Sequence, residues 1–115
     1  MSTIKVDSIQ ATGETASRGV SGVAAAWGVT ETDATVSISF GVSSAVDEAD
    51  GKTTVNFTNA FSTSLYPFVV TSQSSNARCQ TVNGETASSI IMHNKTTDNA
   101  YSASRMRFES GGDLA

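Results

Sequence analysis

The chain has one cysteine and one proline among its 115 residues, and it lacks any long apolar run. A lone Cys79 excludes a disulfide within the chain, and we expect it to lie in a strand as a small apolar residue. No segment approaches the ~18 consecutive apolar residues of a membrane helix, so we expect no membrane insertion. The N-terminus has no apolar signal-peptide core, so we expect synthesis in a cytoplasm without signal-directed export.

Charge is also scarce: charged residues make up 16% of the chain, and the net charge is −4. The seven basic residues are scattered along the chain: Lys5, Arg18, Lys52, Arg78, Lys95, Arg105 and Arg107. Because nucleic-acid binding usually needs a basic patch, this composition argues against a nucleic-acid partner. Low charge with regular apolar alternation also argues against a disordered chain.

No long stretch keeps the 3.6-residue apolar period of a helix, so we predict an all-β protein. The clearest pattern lies between Thr35 and Thr58, where apolar residues occupy alternate positions on both sides of an acidic, turn-rich segment, Val46 to Lys52. This pattern predicts two strands joined by a short polar loop. Five further strands are predicted at Val23–Val29, Leu65–Thr71, Ala77–Val82, Ala87–His93 and Tyr101–Phe108, with a tight turn at Asn83-Gly84.

Six or seven strands joined mostly by short turns predict an antiparallel β-sandwich, and a jelly-roll-like variant is compatible with the same pattern. We assign the sandwich to residues 23–115 and an extended N-terminal arm and linker to residues 1–22. The linker (residues 11–22) holds three glycines and few large apolar groups. A chain of this length buries only about two-thirds of its unfolded surface, so oligomerisation is an attractive source of further stability.

No arrangement of residues points to catalysis. Asp47, Glu48 and Asp50 could hold calcium, but their spacing does not match an EF-hand, and a solvated hairpin loop is the favoured interpretation. His93 is the single histidine, and the abundance of serine gives its neighbours Ser88 and Ser89 no weight as nucleophiles. We therefore predict no enzyme activity, no metal ion and no cofactor.

Aromatic residues offer one further route to binding. Trp27, Tyr66 and Tyr101 could stack on a sugar ring, although packing in the core is the more usual fate of such residues. We therefore predict that Trp27 lies on a strand that brings its ring onto the sheet. For His93, a structural or surface role is the favoured interpretation.

Two stretches of the chain carry recognisable motifs. The first is STIKVDSIQ at residues 2–10. The second comprises Trp27, SFGVSS (39–44), Asp47, Gly51, TVNFTNAF (54–61), Tyr66 and Val69. Together they resemble small tail-fibre-like virion proteins of tailed bacteriophages that infect marine bacteria and cyanobacteria. The match covers about two-thirds of the chain. It departs from the family in the turn, where DEADGK replaces an NGTG-type sequence, and in lacking a further apolar strand after Ser104–Phe108.

The resemblance implies a virion structural protein of tail-fibre or tail-associated type. It implies that five residues belong to the structural core: Trp27, Phe40, Val42, Val55 and Phe57. The arm would dock on the virion or on a neighbouring subunit through Ile4, Lys5, Val6 and Ile9. The partners implied are further copies of the chain, with a trimer favoured, other virion proteins of the tail or the major capsid, and host surface glycan.

Two alternatives stay open. The first is a capsid decoration, or cement, protein that stabilises the phage head. A glycan-active enzyme is the less favoured alternative, since no carboxylate pair lies in a strongly apolar context.

Overall fold

The computed structural model describes residues 3–10, 12–15, 18–19, 24–74, 76–112 and 114, and none of these residues is helical. The fold is all-β, as predicted. Ten strands follow one another along the chain: Ser8–Ile9 (β1), Arg18–Gly19 (β2), Ala24–Thr30 (β3), Val36–Phe40 (β4), Val42–Ala49 (β5), Lys52–Phe57 (β6), Phe68–Gln73 (β7), Arg78–Asn83 (β8), Ser89–Thr96 (β9) and Arg105–Gly111 (β10).

Eight of these strands form an antiparallel β-sandwich. One four-stranded sheet has the order β4-β3-β10-β7 and the other has the order β5-β6-β9-β8. Three pairs, β3–β4, β5–β6 and β8–β9, are neighbours both in sequence and in the sheet. The last strand, β10, lies between β3 and β7, so the first sheet is completed only by a pairing across most of the chain.

The strand directions give the sandwich two distinct ends. Odd-numbered strands from β3 to β9 run away from the point where the N-terminal segment enters at Ala24, and even-numbered strands run back towards it. We call the entry side the arm end and the opposite side the far end. The connections 31–35, 50–51 and 97–104 lie at the far end, together with residues 74, 76 and 77.

The structure corrects the prediction for residues 35–58. The first predicted strand is divided at Gly41, where the chain passes from β4 in one sheet to β5 in the other. Gly41 has φ +71°, and a Cβ there would lie 2.3 Å from the carbonyl oxygen of Ala25, so only glycine fits this corner. The predicted loop is mostly strand, with its turn at Asp50-Gly51, because the acidic side chains of β5 face solvent from an edge strand.

The remaining strand predictions are confirmed in position with small shifts. β7 begins at Phe68 rather than Leu65, since Pro67 cannot donate to a ladder. The predicted two-residue turn at Asn83-Gly84 is instead a longer connection, residues 84–88, in which Gly84 has φ +61°. Buried apolar residues alternate along both β9 and β10, as Ile90 and Met92 in the first and Met106 and Phe108 in the second.

The core lies between the two sheets and closes at the arm end with an aromatic cluster. The Phe57 and Phe61 rings meet edge to face at 5.1 Å, and Tyr66 stacks on Phe61 at 4.3 Å. The Tyr66 hydroxyl lies 2.9 Å and 3.0 Å from the carbonyl oxygens of Thr86 and Ser89, so its polar atom is satisfied where the ring is packed.

Before the sandwich, β1 and β2 form a two-stranded antiparallel pair. The predicted boundary between linker and sandwich, at residues 22 and 23, lies outside the described residues. The assignment of residues 1–22 as arm and linker therefore stays a prediction.

Candidate binding surfaces

The five residues predicted to be structural fall in two places. Val55 and Phe57 lie in the core, and Val42 is half-buried against it. The prediction is wrong for Trp27 and Phe40, whose side chains are 38% and 57% exposed on the outer face of the first sheet. The strand repeat explains the difference, because the residues of β3 that face the core are the even-numbered ones.

Gly28 fixes this alternation. A Cβ at Gly28 would lie 2.9 Å from the tip of the Phe108 ring, so Phe108 occupies the space that a side chain would need. With Gly28 turned inward, Trp27 must point outward, where it pairs across the strands with Phe40. Their rings are stacked with centroids 6.5 Å apart and an interplanar angle of 18°.

The exposed aromatic pair belongs to a larger apolar surface. Val29 and Ile38 form the next cross-strand pair on the same outer face, and Ile38 is 57% exposed. We call these four residues, Trp27, Val29, Ile38 and Phe40, the aromatic patch. It lies on β3 and on β4, which is an edge strand. Contiguous exposed apolar groups of this kind mark surfaces that bind a partner.

The arm residues predicted to dock are exposed where they are described. Ile4 is 87% exposed, Val6 is 49% exposed, and Lys5 is also exposed. The backbone of Ile9 pairs with that of Arg18, while the side chain of Ile9 lies outside the described residues. Two large apolar side chains in water are costly for an isolated chain, and a binding partner would relieve that cost.

At the far end, a cleft of about 530 Å³ opens between the connections of the two sheets. Its polar lining includes Glu31, Thr32, Gln73, Asn76, Arg78 and Arg105. These residues come from segments far apart in sequence, and nothing in their local sequence pattern singled them out. Only the charges of Arg78 and Arg105 were visible beforehand, as members of a scattered basic set.

One wall of the cleft is held by an ion pair. Arg105 Nε donates to Glu31 Oε2 at 2.8 Å, and Arg105 Nη1 donates to Gln73 Oε1 at 3.2 Å. Arg107 Nη2 donates to the same Gln73 oxygen at 3.0 Å. The hydroxyl of Ser37 also donates to Glu31, and this bond, followed by that from Arg105, holds the pKa of Glu31 below its usual value. The Glu31 carboxylate is therefore anionic and already engaged.

The other arginine of the cleft is not engaged in this way. Arg78 is half-buried, and its Nη1 makes a long contact of 3.4 Å with the carbonyl oxygen of Ala77. Its Nε is buried without a hydrogen-bond partner. A buried donor left unpaired costs roughly 1–3 kcal/mol, so the Arg78 guanidinium would gain from a partner that draws it outward.

Asn94 ties the floor of the far end together. Its side-chain amide donates to the carbonyl oxygen of Ser102 at 2.7 Å and to Ser104 Oγ at 3.0 Å. Its Oδ1 accepts a bond of 3.0 Å from Gln80. This buried network joins β8, β9 and the segment before β10, and so fixes the cleft wall that carries Ser104 and Arg105.

His93 lies under Tyr101 on the outer face of the second sheet. The two rings meet edge to face at 5.5 Å, and the ammonium groups of Lys52 and Lys95 lie 4.3 Å and 4.7 Å from the Tyr101 centroid. Burial lowers the pKa of His93, and the two lysines lower it further. Among the described residues no hydrogen bond joins His93 to Ser88 or Ser89.

The acidic loop and the cysteine are on the surface. Glu48 accepts a bond of 2.8 Å from Thr54, and in the described ranges no three His, Cys, Asp or Glu side chains are grouped as metal ligands. Cys79 lies in a strand, as predicted, but it is exposed on β8. Nor do the described residues form any helix long and apolar enough to cross a membrane.

No protein-family model, no curated protein and no solved structure matches the chain. The family resemblance expected from the sequence therefore stays a prediction.

Proposed function

We propose that this chain is a structural protein of a bacteriophage virion, of tail-fibre or tail-associated type, and that it works as a homo-oligomer. The observation that carries the proposal is the aromatic patch, which presents Trp27, Ile38 and Phe40 to solvent beside an open sheet edge. The sequence motifs shared with tail-fibre-like proteins supply the virion context. We favour a trimer, and we locate the protein in the virion after its synthesis in the host cytoplasm.

The patch suits contact with another copy of the chain. Aromatic residues contribute most to binding energy at the centre of protein interfaces. In the described part of the chain β4 is an edge strand, so its backbone can extend a sheet across the contact. A subunit with a small core gains stability when such a surface is covered. Oligomerisation also makes weak contacts to a host surface sufficient, because several identical sites act together.

The two ends of the sandwich suit two tasks. The arm, with Ile4, Lys5 and Val6 exposed, enters at one end and would hold the protein on the virion. The polar cleft lies at the other end, where it would face outward. This division gives the chain a direction, from virion attachment to host contact.

The exposed arm also favours a second candidate, a capsid decoration protein. Such a protein would use Ile4 and Val6 to clamp neighbouring capsid subunits and would stabilise the assembled head. The two candidates share the chain's architecture and differ in location on the particle. Gold-labelled antibody against the chain should mark the tail of the phage; label on the head would favour the decoration protein, and unlabelled particles would refute both.

The oligomer can be tested on the purified chain. Native mass spectrometry and light scattering should give a multiple of the 11.9 kDa mass. Ile38→Ser combined with Phe40→Ser should weaken self-association by at least tenfold, because each removes an exposed apolar group from the patch. Val46→Ser is the matched control, since Val46 is exposed on the other sheet. A monomeric wild-type chain, or equal losses in both variants, would contradict the proposed interface.

The arm has a separate test. Deletion of residues 1–10 should abolish incorporation into particles while the far-ultraviolet circular dichroism spectrum of the sandwich is retained. Normal incorporation of the shortened chain would show that the arm is not the attachment segment.

A further inference from the structure

The far-end cleft is a wide-open depression of about 530 Å³, and its lining suits a polar ligand. Neutral hydrogen-bonding side chains, among them Thr32, Ser74 and Asn76, make up much of its wall. Hydroxyl and amide groups of this kind match the hydroxyls of a sugar ring, each of which both donates and accepts.

Only some of the charged side chains in the cleft form ion pairs with one another. Glu31 and Arg105 neutralise each other, and Gln73 holds Arg105 in place, so this side of the cleft is a fixed framework. No ion pair in the described part of the chain involves Arg78. One positive charge is therefore left without a counter-charge, and it belongs to the residue whose Nε is unpaired.

A guanidinium recognises planar or tetrahedral oxyanions through two parallel N–H···O bonds, which a neutral ligand cannot reproduce. We infer that the far-end cleft binds an acidic sugar unit of a polysaccharide, with Arg78 pairing with the carboxylate or sulfate group and the neutral side chains holding the ring hydroxyls. The bound group would draw the Arg78 head into the cleft and would satisfy donors that are now unpaired. Glu31 would not repel it strongly, since its charge is compensated by Arg105.

The choice of a polysaccharide over a free small anion rests on the proposed function, which turns this end towards the host surface. The carboxylate of a uronic acid and the sulfate of a sulfated sugar present the same pair of anionic oxygens, so both belong to the ligand class. They are separated by experiment.

The test is a titration of the isotope-labelled full chain followed by nuclear magnetic resonance. The probes are a short oligogalacturonate, a sulfated oligosaccharide of similar length, a neutral malto-oligosaccharide and inorganic sulfate. We expect one or both acidic sugars to shift the amide signals of residues 73–78 and 103–105 and to slow exchange of the Arg78 Nε proton. Equal binding of the neutral sugar, shifts confined to other segments, or no binding of either acidic sugar would overturn the inference. Inorganic sulfate that binds as tightly as the sulfated sugar would refute the role of the neutral wall.

Variants then test whether the positive charge of Arg78 binds the acidic sugar. Arg78→Ala should weaken binding of the acidic sugar by at least about tenfold, and Arg78→Lys should restore it only in part, because an ammonium lacks the guanidinium fork. Lys52→Ala removes the same charge from the outer face of the second sheet, outside the cleft lining, and should leave affinity unchanged. Equal losses for Arg78→Ala and Lys52→Ala would show a general charge effect and would refute the site. If Arg78→Ala does not fold, the amide shifts that the acidic sugars cause in the wild-type chain decide whether the cleft is the binding site.

The sugar-binding experiments and the particle-labelling experiment test separate hypotheses, so one can be refuted without the other. Unlabelled phage particles would refute a virion role without touching a cleft that binds acidic sugar. A correctly incorporated protein whose cleft binds no sugar would refute only the ligand.

Discussion

Gly41 is the corner at which the chain changes sheets, and replacing it with alanine should be among the most destabilising single changes in the protein. Its φ of +71° costs an L-residue about 1–2 kcal/mol. The new Cβ would also lie 2.3 Å from the carbonyl oxygen of Ala25, an atom of the backbone of β3 that a side-chain rotation cannot move. Shifting that backbone should cost a further 1–3 kcal/mol, roughly as for overpacking in a core.

We therefore expect Gly41→Ala to lower the free energy of unfolding by about 2–5 kcal/mol, a large part of the roughly 5–15 kcal/mol typical of a small domain. Gly84→Ala is the matched control. Gly84 has a similar φ of +61°, but its Cβ would meet only the end of the flexible Ile91 side chain, at 3.1 Å. This variant should lose only about 1–2 kcal/mol, and the entropy that alanine removes from the unfolded chain is common to both.

The assay is equilibrium unfolding in urea, followed by far-ultraviolet circular dichroism at one protein concentration. Both variants should keep the wild-type m-value, which reports the surface exposed on unfolding, and differ in their midpoints. If Gly41→Ala is no less stable than Gly84→Ala, the clash with β3 is absent and the corner does not depend on glycine in the way described.

Three further predictions follow from single side chains. Asn94→Ala should cost about 2–3 kcal/mol by leaving buried partners unpaired, whereas Asn56→Ala on the surface of β6 should cost roughly 1 kcal/mol or less; equal unfolding midpoints would contradict the network. The lowered pKa of His93 means that the unfolded chain binds its proton more readily, so stability should fall as pH drops below the ordinary histidine value of ~6.5; His93→Gln should flatten that slope in urea titrations, and an unchanged slope would assign it elsewhere. Burial raises the pKa of Tyr66 to about 12, so stability should be lost as pH rises from about 10 through that value; Tyr66→Phe should remove this loss, and spectrophotometric titration should show one tyrosine ionising late.

Much of the fold could be predicted from alternation alone. The sequence predicted strands close to β9 and β10 because a strand with one face on the core repeats its apolar residues every two positions. It did not predict that the apolar series from 36 to 42 divides between two sheets. Apolar and polar residues alternate in the same way on both sides of Gly41. Only the close contact between Gly41 and the backbone of β3 shows that the chain turns a corner at this glycine.

The candidate surfaces were less visible. Trp27 and Phe40 are residue types that usually lie in a core. Nothing nearby in the sequence reveals that Phe108 occupies the inner side of Gly28, so that Trp27 and its cross-strand neighbour Phe40 face outward. The cleft residues Glu31, Arg78 and Arg105 are too far apart in the chain for any local pattern to unite them. Their meeting depends on β10 pairing with β3 and β7.

The order of residues by itself determined an all-β chain of alternating strands with little charge, since side-chain periodicity and turn composition are local properties. Tertiary structure alone decided which apolar residues are buried and which polar ones meet at the far end. Those outcomes depend on strand pairings across the whole chain, because the sequence of one strand does not determine which surface will pack against it.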